Sequence, residues 1–439
     1  MYRLCFIVIC MFTLLSAKTV YGEEIVVHKH LQQAIDGAND GDVLIIKQGV
    51  YKGPITIDKS IRLIAEPGVV IDGEGSEYVV AIRASHVHVE GMTIRQSGYG
   101  KGAGVFVKES SHVTLKNVRI EDTHYGIYVE NGMNINIVNN VIQGRDVHFA
   151  QRGNGIHLLK TKHVAIRDNH ISRVQDGIYL DWAKQTVIKK NEITASRYAI
   201  HLMYAEGGIA KENVMIENIN GIMMMMSKQF TIERNTIAKQ LDYRGYGVLI
   251  YDSEHVVMRN NTLRHNNTAL SLQNARQCEI RANEFINNYR ALHSLYENKD
   301  AIVVENQFLG NMEDALIQGA PIVFNYGEKG NYWDTYRFYD WNDDGIGDAP
   351  HRIRSMYSRL LQRWPSVQFY FQSPALALLD TTESFFTQAQ AQGEDPFPLM
   401  DIPDRQNERK KWSWKLLMFG TILLLSSLTM LEYGRRTMK

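Results

Sequence analysis

Cysteine is nearly absent from this chain of 439 residues: there are three, and two of them, Cys5 and Cys10, sit in the first apolar stretch. That leaves Cys278 alone in the rest of the chain and excludes a disulfide framework. Net charge is absent too, because 48 Lys and Arg balance 48 Asp and Glu. The balance excludes a strongly basic nucleic-acid binder and an acidic disordered chain. It is a sum of unlike parts: Arg3 and Lys18 make the first 22 residues basic, residues 405–439 hold eight basic and two acidic residues, and the body between is acidic. Helical spacing is missing from the middle, and long apolar runs are missing except at the two ends.

The ends read as addresses. Arg3 followed by the apolar run Leu4 to Leu15, with Val20 and Gly22 as small residues, reads as a secretory signal over residues 1–22. An uncleaved anchor helix is the alternative. Near the other end, Leu416 to Leu431 is apolar and is flanked by Trp412, Trp414 and Tyr433. This predicts a transmembrane helix and a short cytoplasmic tail within residues 412–439, with the body exported and anchored; a buried or interfacial helix is the alternative.

The middle is a repeat. A small residue followed by an apolar–x–apolar triplet recurs at Gly104, Gly126, Gly155, Gly177, Ala199, Gly221, Gly247, Ala269, Ala291 and Ala315. The steps are 22 residues, apart from 29 before Gly155, 26 before Gly247 and 24 at the end. A second marker, Asn117, Asn140, Asn169, Asn191, Asn213, Asn235, Asn261, Asn283 and Asn306, stretches at the same two places. Each repeat holds three short runs of alternating polarity, which is strand periodicity. The fold class is therefore all-β, a right-handed parallel β-helix of about 22-residue coils over residues 23–330. Leu31 to Ala38 predicts a short helix capping its N-terminal end, and residues 331–411 an irregular C-terminal cap and linker. The Asn column reads as scaffold, with Asn supplying left-handed turns and amide bonds between coils. The two longer steps put loops at one edge, within residues 144–154 and 240–246, carrying His148, Phe149, Tyr243 and Tyr246.

Strand alternation places the middle residue of each triplet, and the residue two further on, outside the core. Along the stack these are Tyr128, His157, Tyr179, His201, Met223 and Leu249, then Glu130, Leu159, Asp181, Met203, Met225 and Tyr251. His201, Met203, Met223 and Met225 should form a two-by-two patch, while Met224 and Met226 turn inward. Thioether and imidazole suit Cu(I), so the patch is a candidate site for transient copper; an apolar ladder packed against a loop or partner is the alternative. After the coils, Asp340, Asn342, Asp344, Gly345 and Asp348 follow the early spacing of a calcium loop, but position 12 is His351 where the bidentate Glu belongs. The readings are a calcium-stabilised turn at 340–348 or a sharp Asp/Gly turn.

Several stretches carry a resemblance: Tyr198-Ala-Ile-His-Leu-Met-Tyr204, Gly330-Asn-Tyr-Trp-Asp334 running into Tyr339-Asp-Trp-Asn-Asp-Asp-Gly-Ile-Gly-Asp348, Ser373-Pro-Ala-Leu, and Phe397-Pro-Leu-Met-Asp401-Ile-Pro. With the 22-residue coils, they make residues 29–404 resemble the NosD family of nitrous oxide reductase maturation proteins. The resemblance implies a periplasmic, non-enzymatic assembly factor for the copper centres of nitrous oxide reductase. Its implied partners are the membrane and nucleotide-binding subunits of an ABC transporter and a copper chaperone lipoprotein. The His/Met patch would then pass or dock copper, and the C-terminal helix would anchor the protein in the inner membrane beside the transporter. Leu202 departs from the aromatic residue expected there. The rival is a polysaccharide-modifying β-helix enzyme, a lyase or uronate epimerase, using Asp176, Asp181, His157, Tyr179 and His201. Neither an Asp-Pro-His-Asp segment nor paired aspartates on consecutive coils is present to support it.

Overall fold

The computed structural model describes residues 22–353, 364, 366 and 393–402. Three parallel sheets of 13, 12 and 13 strands run its length, and every coil contributes one strand to each in turn. Register follows the repeat: Ile178 pairs with Ile200, Ile200 with Ile222, and Ile222 with Val248. Stacked coils lie about 4.8 Å apart, so like residues meet like residues and the Ile, Leu and Val columns close into one narrow core. Many strands are only three residues long and bury just the central one, as in Glu192–Thr194. Each such side chain stabilises the core by roughly 1.5–3 kcal/mol. The small-residue column has a steric cause: a Cβ on Gly177 would sit 2.5 Å from the Ala199 carbonyl oxygen of the next coil.

The N-terminal cap is the helix Leu31–Gly37, which buries Leu31 and Ile35 over the open end of the core. Gln32 pins it by accepting from the Thr56 amide at 2.7 Å and donating to the Thr56 carbonyl at 3.2 Å.

The Asn column is a continuous buried hydrogen-bonded ladder from Asn140 to Asn331. Asn191 is typical. Its amide donates at 3.0 Å both to Asn213 Oδ1 and to the Ile166 carbonyl, and Asn213 Oδ1 also accepts the Asn191 backbone N–H at 3.0 Å. Two details differ from the sequence reading. The left-handed residues are those preceding the ladder, such as Asn139, Asp168, Lys190 and Glu212, so the Asn is selected for its amide rather than for its backbone. Asn117 is not a member: it is exposed, has φ 54°, and donates to Glu90 on the surface. A second buried ladder, Asn218, Gln240, Asn266, Asn288 and Asn311, was not anticipated.

The ladder needs a last acceptor, and Asp395 supplies it. Its Oδ2 accepts from the Asn331 backbone at 2.7 Å, from the Asn331 amide at 3.2 Å and from Trp333 Nε1 at 2.9 Å. Trp333 meanwhile continues a ring stack from Phe285 and Phe308, 5.0 Å apart, lying 4.0 Å from Phe308 with His351 stacked beyond it at 4.8 Å. The Gly-Asn-Tyr-Trp stretch is thus the closing device of the solenoid, and its strand Tyr332–Trp333 carries the coils slightly past the expected limit of 330.

One expectation is corrected. No helix among the described residues is long and apolar enough to cross a membrane. The helices of the coil region, Leu31–Gly37 and Phe149–Gln151, have seven and three residues against the roughly 20 a span needs. The inner-membrane anchor was placed in 412–439, which lies outside the described residues, as do residues 1–21 of the signal reading.

Candidate functional site

The candidate site lies on the outer face of the 12-stranded sheet. Parallel register lines up Tyr128, His157, Tyr179, His201, Met223 and Leu249, one per coil. The next outward column holds Asp181, Met203, Met225 and Tyr251. The rings touch in sequence along the first column: Tyr128 is tilted against His157 at 4.8 Å, His157 meets Tyr179 edge-on at 4.7 Å, and Tyr179 stacks on His201 at 4.5 Å. Both insertion loops connect the sheet before this one to it, at Gln143 to Ile156 and Ala238 to Tyr246, so they border the same edge.

The structure puts His201, Met203, Met223 and Met225 on adjacent strands, with His201 against Met223 and Met203 against Met225 in register. His201 and Met223 are not open surface, however, being only 7% and 8% exposed; Met203 and Met225 are half-buried. Tyr198 packs edge-on to His201 at 5.1 Å. Met224 is in the core, whereas Met226 occupies a left-handed turn position and is half-buried, unlike the inward place expected of it.

Asp176, weighed in the sequence only as a residue of the rival enzyme, contacts His201, and Arg197, which the sequence reading missed, holds it. Asp176 is 1% exposed and is gripped by Arg197, whose Nε and Nη2 each donate at 2.8 Å. His201 Nδ1 meets Asp176 Oδ2 at 2.9 Å. Burial pushes the Asp176 carboxyl up, but the bonds from His201 and Arg197 outweigh it and hold the carboxyl below its ordinary range. His201 Nε2 is buried and has no hydrogen-bond partner. Such an orphan nitrogen is costly unless something binds it. The sequence signal for the clamp was the near-coil spacing of Asp176 and Arg197, 21 residues apart.

The neighbours are electrostatically quiet. Burial pulls His157 down to about 4, and burial with the charges of Asp181 and Asp176 pushes the Tyr179 hydroxyl up to about 12. Among the described residues no group of three or more His, Cys, Asp or Glu could hold a metal ion. The neighbouring outward positions in register are instead thioethers, Met223 beside His201 and Met225 beside Met203, and thioethers suit a soft monovalent cation and not a hard one.

The second candidate is tied up in its own turn. Asp340 accepts from the Gly345 amide at 2.8 Å and the Asp344 amide at 3.3 Å. Asp344 accepts from Ile346 at 2.8 Å and from the Asn342 side chain at 2.9 Å, and Asp348 accepts from the Trp341 amide at 2.5 Å. Gly345, at φ +83°, makes the reversal.

Fold and site together give a parallel β-helix with an imidazole–thioether cluster on the outer face of one sheet. Comparison with known proteins agrees with that class. The family model described as periplasmic copper-binding protein (NosD) matches residues 138–337, which hold the whole cluster, and a right handed beta helix region matches 67–205. The chain is 32% identical over 376 residues to the probable ABC transporter binding protein NosD of Pseudomonas aeruginosa, covering 81% of this chain and 87% of that one. It is 33% identical over 374 residues to the protein of the same description from Stutzerimonas stutzeri, covering 81% and 86%. This chain belongs to the NosD family. Among solved structures it resembles the catalytic domain of a GH87 alpha-1,3-glucanase, with TM-score 0.52, 13% identity, and 72% and 70% of the two chains covered. It also resembles a family 28 exopolygalacturonase of Yersinia enterocolitica, with TM-score 0.50, 11% identity, and 71% and 79% covered. At that identity the likeness is one of fold alone. The family is described as periplasmic, and no helix among the described residues supports the membrane-anchored location expected from the sequence.

Proposed function

We propose that this chain is a non-enzymatic assembly factor that handles Cu(I) for the copper centres of nitrous oxide reductase. It would work with the membrane and nucleotide-binding subunits of an ABC transporter and with a copper chaperone lipoprotein. The observation that carries the reading is the buried, unpartnered Nε2 of His201 with Met223 in register beside it. An imidazole nitrogen and thioether sulfurs fit Cu(I), whereas Asp176, the carboxylate in contact with His201, is already bonded to Arg197 and His201. The exposed stack of Trp182 on Tyr204, at 4.5 Å and next along the chain from Met203, offers a partner an aromatic contact beside the cluster.

The polysaccharide-enzyme reading has less behind it. Asp176, its best carboxylate, is held by Arg197 and His201 and is not free to attack or to transfer a proton.

The test is Cu(I) binding by the full chain in competition with a chromogenic chelator. The chain should take Cu(I) from the chelator, and joint His201→Ala and Met223→Ala should abolish this. An unchanged affinity in the double variant would refute the assignment, and release of reducing ends from uronate polymers would favour the enzyme.

A further inference from the structure

Two imidazoles share the outer column, His157 and His201, with Tyr179 between them. Their hydrogen bonds differ in sense. Asn154 Oδ1 accepts the Asp176 backbone N–H at 3.2 Å, which fixes the direction of the Asn154 amide. Its Nδ2 must then donate to His157 Nδ1, at 3.3 Å, so the proton of the neutral His157 ring is on Nε2. His201 is the reverse. Its Nδ1 faces a carboxylate that can only accept, at 2.9 Å, so in the neutral ring the proton is on Nδ1 and Nε2 presents a lone pair.

We propose that Asp176 and Arg197 are positioning residues: they lock His201 in the tautomer and ring orientation that present its Nε2 lone pair to a soft monovalent cation, and they make His201, not His157, the imidazole ligand. Arg197 fixes the carboxylate through two parallel bonds, and the carboxylate in turn fixes the ring. Asp176 and His201 are buried and Arg197 is half-buried, so the bond between carboxylate and ring is shielded from water. A carboxylate behind a ligating imidazole orients the ring and raises its donor strength, and loss of such a support costs about 10–100-fold in metal affinity. The lock rests on the copper-handling reading for its purpose, but the tautomer stands without it.

The experiment uses the full chain labelled with 15N in its histidine rings, and Cu(I) as the probe. In the metal-free protein, His201 should show a protonated Nδ1 and a bare Nε2, and His157 the opposite. Cu(I) should move the His201 Nε2 resonance and leave that of His157 in place. Asp176→Ala should give mixed His201 tautomers and about a 10–100-fold weaker hold on Cu(I). Should that variant fail to fold, Asp176→Asn, of nearly equal volume, carries the same two readouts. Arg197→Ala should move both in the same direction by less, since the carboxylate remains. A proton on His201 Nε2 in the wild type, or a variant that binds Cu(I) as tightly as the wild type, would overturn the proposal. Failure of the wild type to bind Cu(I) at all would instead sink the copper reading, while the tautomer measurement still decided the lock.

Discussion

Asn213 sits in the middle of the ladder, and replacing it by Ala breaks four bonds at once. Its Oδ1 accepts the Asn191 backbone N–H and the Asn191 amide, both at 3.0 Å, and its own amide donates to the Ile188 carbonyl at 3.0 Å and to Asn235 Oδ1 at 2.9 Å. Asn235 Oδ1 still receives the residue-213 backbone N–H, and the Asn191 amide still reaches Ile166. The Asn191 N–H is left buried without its acceptor, at about 1–3 kcal/mol, and each other lost bond adds roughly 1 kcal/mol. The expected loss is therefore about 4–6 kcal/mol. Asn117, which matches Asn213 in the sequence column but lies exposed in a left-handed turn, should cost under about 1 kcal/mol on replacement by Ala. Coils in a solenoid open locally, so global melting underreports the change. Hydrogen exchange read by mass spectrometry on the peptides spanning residues 188–216 is the better assay. Asn213→Ala should speed exchange there by two or more orders of magnitude and leave the first coils unchanged. Equal effects at positions 117 and 213 would show that the Asn is there for its backbone preference, and the ladder argument would fall.

Three further outcomes follow from the C-terminal part. Asp395→Ala removes the acceptor shared by Asn331 and Trp333 and should open the end of the solenoid, seen as quenching or a shift of Trp333 fluorescence and a lower melting temperature; Gly330→Ala, whose Cβ would collide with the Asp395 carboxylate, should act the same way. Burial, with the charge of Asp334, pushes the Asp314 carboxyl up to about 7 from an unfolded value near 4. Its folded value lies above its unfolded one, so the native state binds the extra proton between these values and stability falls as pH rises from about 4 to about 7; Asp314→Asn should flatten that slope, and an unchanged slope would assign it to another group. At 340–348 the carboxylates already hold backbone amides, so calcium should leave the melting temperature unchanged, whereas a rise abolished by Asp344→Ala would make the loop a cation site.

What could be read in the sequence was whatever repeats. A coil stacked on itself puts position i against i+22, so columns such as Ile178, Ile200 and Ile222, or His201 over Met223, need only the period and strand alternation. The exact member of a column is harder, because two adjacent positions can both carry Asn. Asn117 and Asn140 look equivalent by spacing, yet Asn139 is the residue that bonds to Asn117, and only the buried amide of Asn140 enters the ladder. Contacts that break the period left little or no signal. Asp395 reaches Asn331 across 64 residues, and nothing periodic links them. Arg197 reaches Asp176 by folding back one residue short of a full coil. Burial was hidden for the same reason: alternation says that His201 faces away from the core, but not that it is shielded there. The site therefore divides along a physical line. Its donors follow from the repeat, while the groups that give them a direction, Asp176 and Arg197, come from the exceptions to it. In a scaffold made of near-identical rungs, a departure from the period is where one rung can be made unlike its neighbours, and this one does so at the imidazole with a free nitrogen.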